Sequence, residues 1–260
     1  MRILITTSPG LGHILPTISF AHAARAAGHD VLYAAGGYVD AVANAGLQVV
    51  DASPGTDYGE IFQTAGRELG PQMAAVREDL RQTVAIAMRM FARVSEPTLE
   101  TVVRVAEKWQ PDVVLHTPLQ AAGPLAAGKL GVPLVSIELG MARSRGFDGT
   151  EQITYEELHE HYERHGLTES PKPAVKLGVT PPSVGPAEDA WPMRYVPYNG
   201  GSVLPEQLLD RASRPRVLIT LGTVVPHYGL GALEPIVAAA SKVDAEFVLA
   251  LGDVDLTSLG

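Results

Sequence analysis

Cysteine is absent from this 260-residue chain, which excludes disulfides and thiolate metal sites. Aromatic residues make up only 6%, and no basic patch with interleaved aromatics occurs, so nucleic-acid binding has no foothold. Cations are in deficit as well: 20 Lys and Arg stand against 29 Asp and Glu, a formal net charge of −9, which again disfavours a polyanionic partner. No apolar run approaches the roughly 18 residues of a membrane span, and the N-terminus has no charged leader followed by a long apolar stretch. The expectation is a cytoplasmic protein without stable membrane insertion. No repeat or low-complexity tract breaks the sequence. What is present is a 46% apolar fraction, enough for a real core, in a chain long enough for two modest domains or one large one.

Strands and helices alternate from the start. Residues 2–6, 30–35 and 47–51 read as short buried strands, with helices at about 16–27 and 38–45 between them; Gly28 and Gly46 suit the helix ends. Residues 51–70 carry Pro, Gly, Asp and Tyr and read as a long exposed loop. Helices are expected at about 71–93 and 96–108, a strand from Pro111 to His116, a small-residue helix at 121–130, and a strand at 131–137 closing at Glu138. Residues 139–185 read as irregular apart from a charged helix at about 154–165. Such alternation implies right-handed crossovers and a parallel, doubly wound α/β sheet of about six or seven strands. Near 186–215, Pro, Asn and Gly punctuate a linker. Beyond it a strand at 216–221, a helix at about 230–241 and a strand at 246–251 form one further βαβ unit. The expected division is therefore residues 1–205 and residues 206–260.

The most informative stretch is Ser8-Pro9-Gly10-Leu11-Gly12-His13-Ile14-Leu15-Pro16, directly after the first strand. A glycine turn there lies at the carboxyl edge of the sheet, where open α/β proteins bind ligands, and it lets His13 project over that edge. A dinucleotide fingerprint would need glycine where Leu15 stands and an acid at the end of the second strand, whose only acid, Asp30, stands at its start. Nicotinamide binding is set aside.

The string Gly12-His13-Ile14-Leu15-Pro16 after an N-terminal strand resembles the opening of GT-B fold glycosyltransferases, built from two Rossmann-like domains. More narrowly, it is similar to the bacterial enzymes that decorate polyketides, macrolides and enediynes with deoxysugars. Ala26-Ala27-Gly28-His29-Asp30-Val31, Pro111-Asp112-Val113-Val114, Leu130-Gly131-Val132-Pro133 and Leu221-Gly222-Thr223 match in order and spacing. The resemblance implies an N-terminal acceptor-binding domain and the start of a C-terminal domain for the sugar nucleotide. It implies an inverting transfer of a deoxysugar from a nucleoside diphosphate, thymidine- or uridine-linked, to a hydroxyl of a hydrophobic aglycone. No cofactor and no catalytic metal are expected. The family's later pyrophosphate-binding segment, His-x-Gly-Gly-x-Gly-Thr-like, is absent, so the chain reads as truncated within the second domain and inactive by itself.

Within that resemblance His13 is the general base, a residue type whose pKa lies near working pH. The family usually sets an aspartate behind it from the strand near 111–116, but this chain reads His116-Thr117-Pro118. Thr117 is the nearest orienting candidate, with Glu138 as a substitute. Gly12, Tyr58, Phe62, Met88, Phe91, His116 and Glu138 are the candidate acceptor contacts, with core packing the alternative for the Met-rich cluster. Gly222 and Thr223 are the candidate donor-phosphate contacts. Arg143 and Arg145 sit in a loop where acceptor contact and plain surface are both open. His159, His161 and His165 read as a solvated helix face rather than metal ligands, and His22, His29 and His227 need no special role. Two alternatives stand: a silent acceptor-binding domain, and an envelope glycosyltransferase acting on a lipid-linked sugar. A homodimer is left open.

Overall fold

The computed structural model describes residues 1–139, 149–184, 190–222 and 233–251. The chain divides into two compact units, Met1–Gly200 and Gly201–Gly260. In the first, β1 (Arg2–Thr6), α1 (Leu11–Ala26), β2 (Asp30–Ala35), α2 (Val39–Asn44), β3 (Val49–Asp51), α3 (Tyr58–Ala75), α4 (Leu80–Ser95), α5 (Leu99–Trp109), β4 (Val113–His116), α6 (Ala122–Leu130), β5 (Leu134–Ile137), α7 (Thr150–Arg164), β6 (Val175–Gly178) and β7 (Trp191–Pro192) follow in order. A single-turn 3-10 helix, Glu96–Thr98, joins α4 to α5. The strands form one seven-stranded sheet in the order β3-β2-β1-β4-β5-β6-β7, and every recorded pair is parallel.

Alternation along β1 divides the core in two. Ile3 and Ile5 point to one face, where Ile14, Ile18 and Ala21 of α1 and Val42 of α2 cover them. Leu4 points to the other, against Leu99, Val102, Val103 and Ala106 of α5, Leu125 of α6 and Tyr162 of α7. A parallel sheet covered on both faces must be apolar throughout, which is why its strands read as continuous apolar runs. Removing each such side chain from water contributes about 1.5–3 kcal/mol. Tyr33 and Thr17 carry buried hydroxyls on the α1 side. Thr17 donates to the Ile14 carbonyl at 2.7 Å, so the Tyr33 hydroxyl donates to Thr17 Oγ1 at 2.9 Å. Burial raises its pKa despite that bond, so it stays a neutral donor.

Four expectations change. Helix α1 begins at Leu11, not near Pro16, so Pro16 lies inside it and His13 belongs to its first turn. The expected loop at 51–70 is mostly helix: Asp57 accepts the Glu60 amide at 3.0 Å and starts α3, an N-cap that satisfies one of the orphan first-turn donors. The single helix expected at 71–93 is interrupted, because Asp79 accepts the Arg81 and Gln82 amides at 3.0 and 3.1 Å and starts α4 afresh. Strands β6 and β7 arise in segments read as irregular and as linker.

The second unit contains β8 (Arg216–Thr220), α8 (Glu234–Ala240) and β9 (Glu246–Ala250). β8 and β9 pair in parallel from Arg216↔Glu246 to Thr220↔Ala250. Among the described residues, no helix is long and apolar enough to cross a membrane.

Candidate active site

Strand β1 is followed in the chain by β2 on one side, whereas β4, its other neighbour, is followed by β5 away from it. The loops leaving β1 and β4 therefore part company, α1 covering one face and α6 the other. That switch point is where open α/β sheets form a crevice, and the glycine loop enters it.

His13 is half-buried in the first turn of α1, its amide donating to the Gly10 carbonyl at 3.0 Å. Its imidazole stands 5.7 Å from the Phe91 ring at a tilt of 48°, and Phe91 meets Phe62 edge-on at 5.9 Å. Helices α3 and α4 thus bring together two of the expected acceptor contacts, 29 positions apart in sequence, and set one of them, Phe91, against the expected base. Burial lowers the His13 pKa from its ordinary 6.5, because desolvation disfavours the charged ring. Its Nδ1 is buried and, among the described residues, has no hydrogen-bond partner.

That orphaned nitrogen revises the expected dyad. Neither Thr117 nor Glu138 hydrogen-bonds it. The Thr117 side chain is buried and its Oγ1 accepts the Ser8 amide at 3.4 Å, so it holds the loop instead of the ring. Glu138 is half-buried after β5, its amide donating to the Leu177 carbonyl at 2.9 Å. His116 is 8% exposed. A Cβ added at Gly123 of α6 would stand 2.9 Å from its Cβ and 2.3 Å from Thr6 Oγ1, so His116 lies under α6 and not on an acceptor surface. Burial pushes its pKa down to about 4, opposed by the nearby Gln120 and Thr117 backbone; neither ring nitrogen reaches hydrogen-bonding geometry with a partner.

Tyr58 opens α3 with its hydroxyl 2.6 Å from Ser53 Oγ, and burial raises its pKa. A Cβ at Gly37 would lie 3.0 Å from Pro9 Cβ and 3.6 Å from Tyr58 Cδ2, and φ is +80° there, so glycine alone lets Tyr58 and the β1 loop close on this turn. Gly12 is exposed in the first turn of α1 with nothing within 4 Å of a built Cβ. Met88 is 7% exposed, which fits packing. Gly222 follows β8 with φ +64°, its amide donating to Thr220 Oγ1 at 3.3 Å. Thr223, Arg143, Arg145 and His227 lie outside the described residues. The expected solvated face of α7 is in part a seam: His161 Nε2 is 3.3 Å from Glu96 and His165 Nε2 is 3.1 Å from Glu100. Among the described residues, no group of three or more His, Cys, Asp or Glu is arranged to hold a metal ion.

Sequence reading missed the fastening of the loop. Ser8 Oγ donates to the Leu119 carbonyl at 2.8 Å, and Leu119 has φ +69°, a left-handed conformation uncommon for a bulky residue.

Residues 22–222 match the erythromycin biosynthesis protein CIII-like N-terminal domain family. The chain belongs to that family. It is 39% identical, over 100% of its own length and 68% of the relative's, to the elloramycin glycosyltransferase ElmGT of Streptomyces olivaceus. Its fold superposes on the glycosyltransferase SnogD of Streptomyces nogalater with a TM-score of 0.81 at 44% identity, covering 100% of this chain and 68% of that one. Glycosyltransferase SsfS6 of Streptomyces sp. SF2575, solved with thymidine diphosphate, gives a TM-score of 0.79 at 30% identity over 97% and 68%. The chain thus spans about two-thirds of the length of these antibiotic glycosyltransferases, and its α/β sheet is the GT-B N-terminal architecture they share. The family match begins after His13, so the case for that residue rests on its geometry.

Proposed function

We propose that this chain carries the acceptor side of an inverting glycosyltransferase that moves a deoxysugar from a nucleoside diphosphate, thymidine-linked, to a hydroxyl of a hydrophobic natural-product aglycone. His13 is the general base. Residues 1–205 hold the aglycone, with Phe62, Phe91 and Tyr58 as apolar contacts and Gly12 as a place of close approach. Residues 206–260 begin the sugar-nucleotide domain, with Gly222 and Thr223 as candidate donor-phosphate contacts. The relatives bear natural-product names and one was solved with thymidine diphosphate, which favours this reading over an envelope enzyme.

One observation carries the assignment: a half-buried histidine with a lowered pKa, its ring against Phe91, at the carboxyl edge of β1. A neutral imidazole in an apolar setting takes the acceptor's proton as the acceptor oxygen bonds to the anomeric carbon. The bond from that carbon to the diphosphate breaks on the opposite side, and the nucleoside diphosphate leaves with the electron pair, so the anomeric centre inverts. Among the described residues nothing hydrogen-bonds its Nδ1, so on this reading the histidine works by placement and desolvation.

The test is His13→Ala in the complete two-domain enzyme with an aliphatic hydroxyl acceptor. kcat should fall about 10²–10⁴-fold, the contribution of a positioned base, with acceptor KM little changed because the ring acts mainly in the transition state. A near-wild-type kcat overturns the assignment.

A further inference from the structure

The loop that carries His13 is fastened by a hydrogen-bond chain in which the imidazole takes no part. Thr117 extends the β1–β4 ladder, its amide donating to the Thr6 carbonyl at 3.2 Å. Its hydroxyl then accepts the Ser8 amide at 3.4 Å, and Ser8 Oγ donates to the Leu119 carbonyl at 2.8 Å. Ser95, the last residue of α4, lies between the parts: its hydroxyl is 2.9 Å from the Phe91 carbonyl and 3.5 Å from the Leu119 carbonyl. It also accepts the Ala121 amide at 3.2 Å. Having a single proton, Ser95 satisfies Phe91, the nearer carbonyl, and leaves Leu119 to Ser8. Leu119 makes this bond from a left-handed conformation that costs an L-residue about 1–2 kcal/mol.

The chain continues to the base through main chain alone. The Gly10 carbonyl accepts from both His13 and Ile14, at 3.0 and 3.1 Å, so the first turn of α1 is set by the loop that Ser8 anchors. Since His13 Nδ1 has no partner among the described residues, none of their polar side chains holds the ring at that nitrogen.

We propose that Ser8, Thr117 and Leu119 are positioning residues for His13: they fix the β1–α1 loop, and through it the first turn of α1, so that backbone placement does the orienting task of a carboxylate partner. The proposal rests on His13 being the base. It makes Thr117 an acceptor for main chain, a role serine retains and valine loses.

The experiment has two arms in the complete enzyme. In the kinetic arm, Ser8→Ala should lower kcat about tenfold or more, the scale of a displaced catalytic group, with acceptor KM within about twofold; Ser8→Thr should recover most of it. In the hydrogen-exchange arm, Thr117→Val should speed exchange of the Ser8 amide at least about tenfold while Thr117→Ser preserves its protection, and core amides of β1 and β4 should not change. An unchanged kcat in Ser8→Ala beside a crippled His13→Ala overturns this inference alone. A near-wild-type kcat in His13→Ala removes the base and this inference with it, and leaves the exchange result standing. Equal protection of the Ser8 amide in Thr117→Val also overturns it.

Discussion

The Phe91 ring lies 5.7 Å from the His13 imidazole, inclined to it by 48°. On the proposed role of His13, an apolar neighbour in that position shields one side of the base from water and also gives the acceptor a wall, which links acceptor affinity and base strength through one side chain.

The pH dependence follows with a definite sign. Protonated His13 cannot act as base, and burial lowers its pKa below 6.5. The rate is therefore retained as pH falls through 6.5 and is lost only at the lower, shifted value. The acid limb of kcat/KM should lie below 6.5 in the native enzyme and move up toward it in Phe91→Ala, where water reaches the ring. A pH profile of both proteins checks this, and an acid limb that stays in place in Phe91→Ala refutes it.

His116 should make the fold sensitive to acid. Its folded pKa is about 4 against an ordinary 6.5, so the unfolded chain binds the extra proton between these values, and stability falls as pH drops from 6.5 to 4. The full difference is about 3 kcal/mol at about 1.4 kcal/mol per unit. Denaturant unfolding at pH 7 and pH 4 should show that loss in the wild type beyond the loss in His116→Gln. Equal losses in the two would mean that His116 is not the group concerned.

Leu119 offers a test of strain. Leu119→Ala and Leu119→Gly both remove the side chain, but only glycine adopts φ +69° freely. Leu119→Gly should exceed Leu119→Ala in stability by about 1 kcal/mol. Thermal unfolding of the two variants settles the sign.

Arg93 joins three helices: its guanidinium pairs with Glu68 of α3 and, at 2.6 Å, with Glu157 of α7. These partners raise its pKa. Its side chain is 36% exposed, so solvent screens the pairs. Arg93→Met should cost about 1 kcal/mol or less, and the cost should shrink further in 1 M salt, where the Debye length is about 3 Å. A larger loss that salt leaves untouched would point to packing of the arginine stem instead.

Much of the architecture could be read from local pattern. Apolar runs bounded by Gly and Pro located β1, β2, β4 and β5 closely, because strands buried on both faces have no other way to look. The start of α3 was also written in the sequence, as Asp57 followed by Glu60 at the third helical position, but the Pro and Gly around it read as loop. Pro16 reads as a first helical residue, whereas the glycine loop starts α1 at Leu11. At the site, His13, Phe62 and Phe91 were each visible as residue types, and the α3–α4 hairpin brings the two phenylalanines together. The tie from Ser8 to Thr117 and Leu119 was not legible, since it spans 109 and 111 positions and depends on a left-handed leucine that no propensity announces.

The Phe62 and Phe91 rings come from the α3–α4 hairpin, whereas the loop bearing His13 is moored to the turn after β4. The two segments meet at Ser95, whose hydroxyl is 2.9 Å from the Phe91 carbonyl and 3.5 Å from the Leu119 carbonyl. On the proposed role of His13, substitutions at Phe62, one ring removed from the imidazole, can retune which aglycone is accepted while the base keeps its setting, whereas any change at Phe91 alters both.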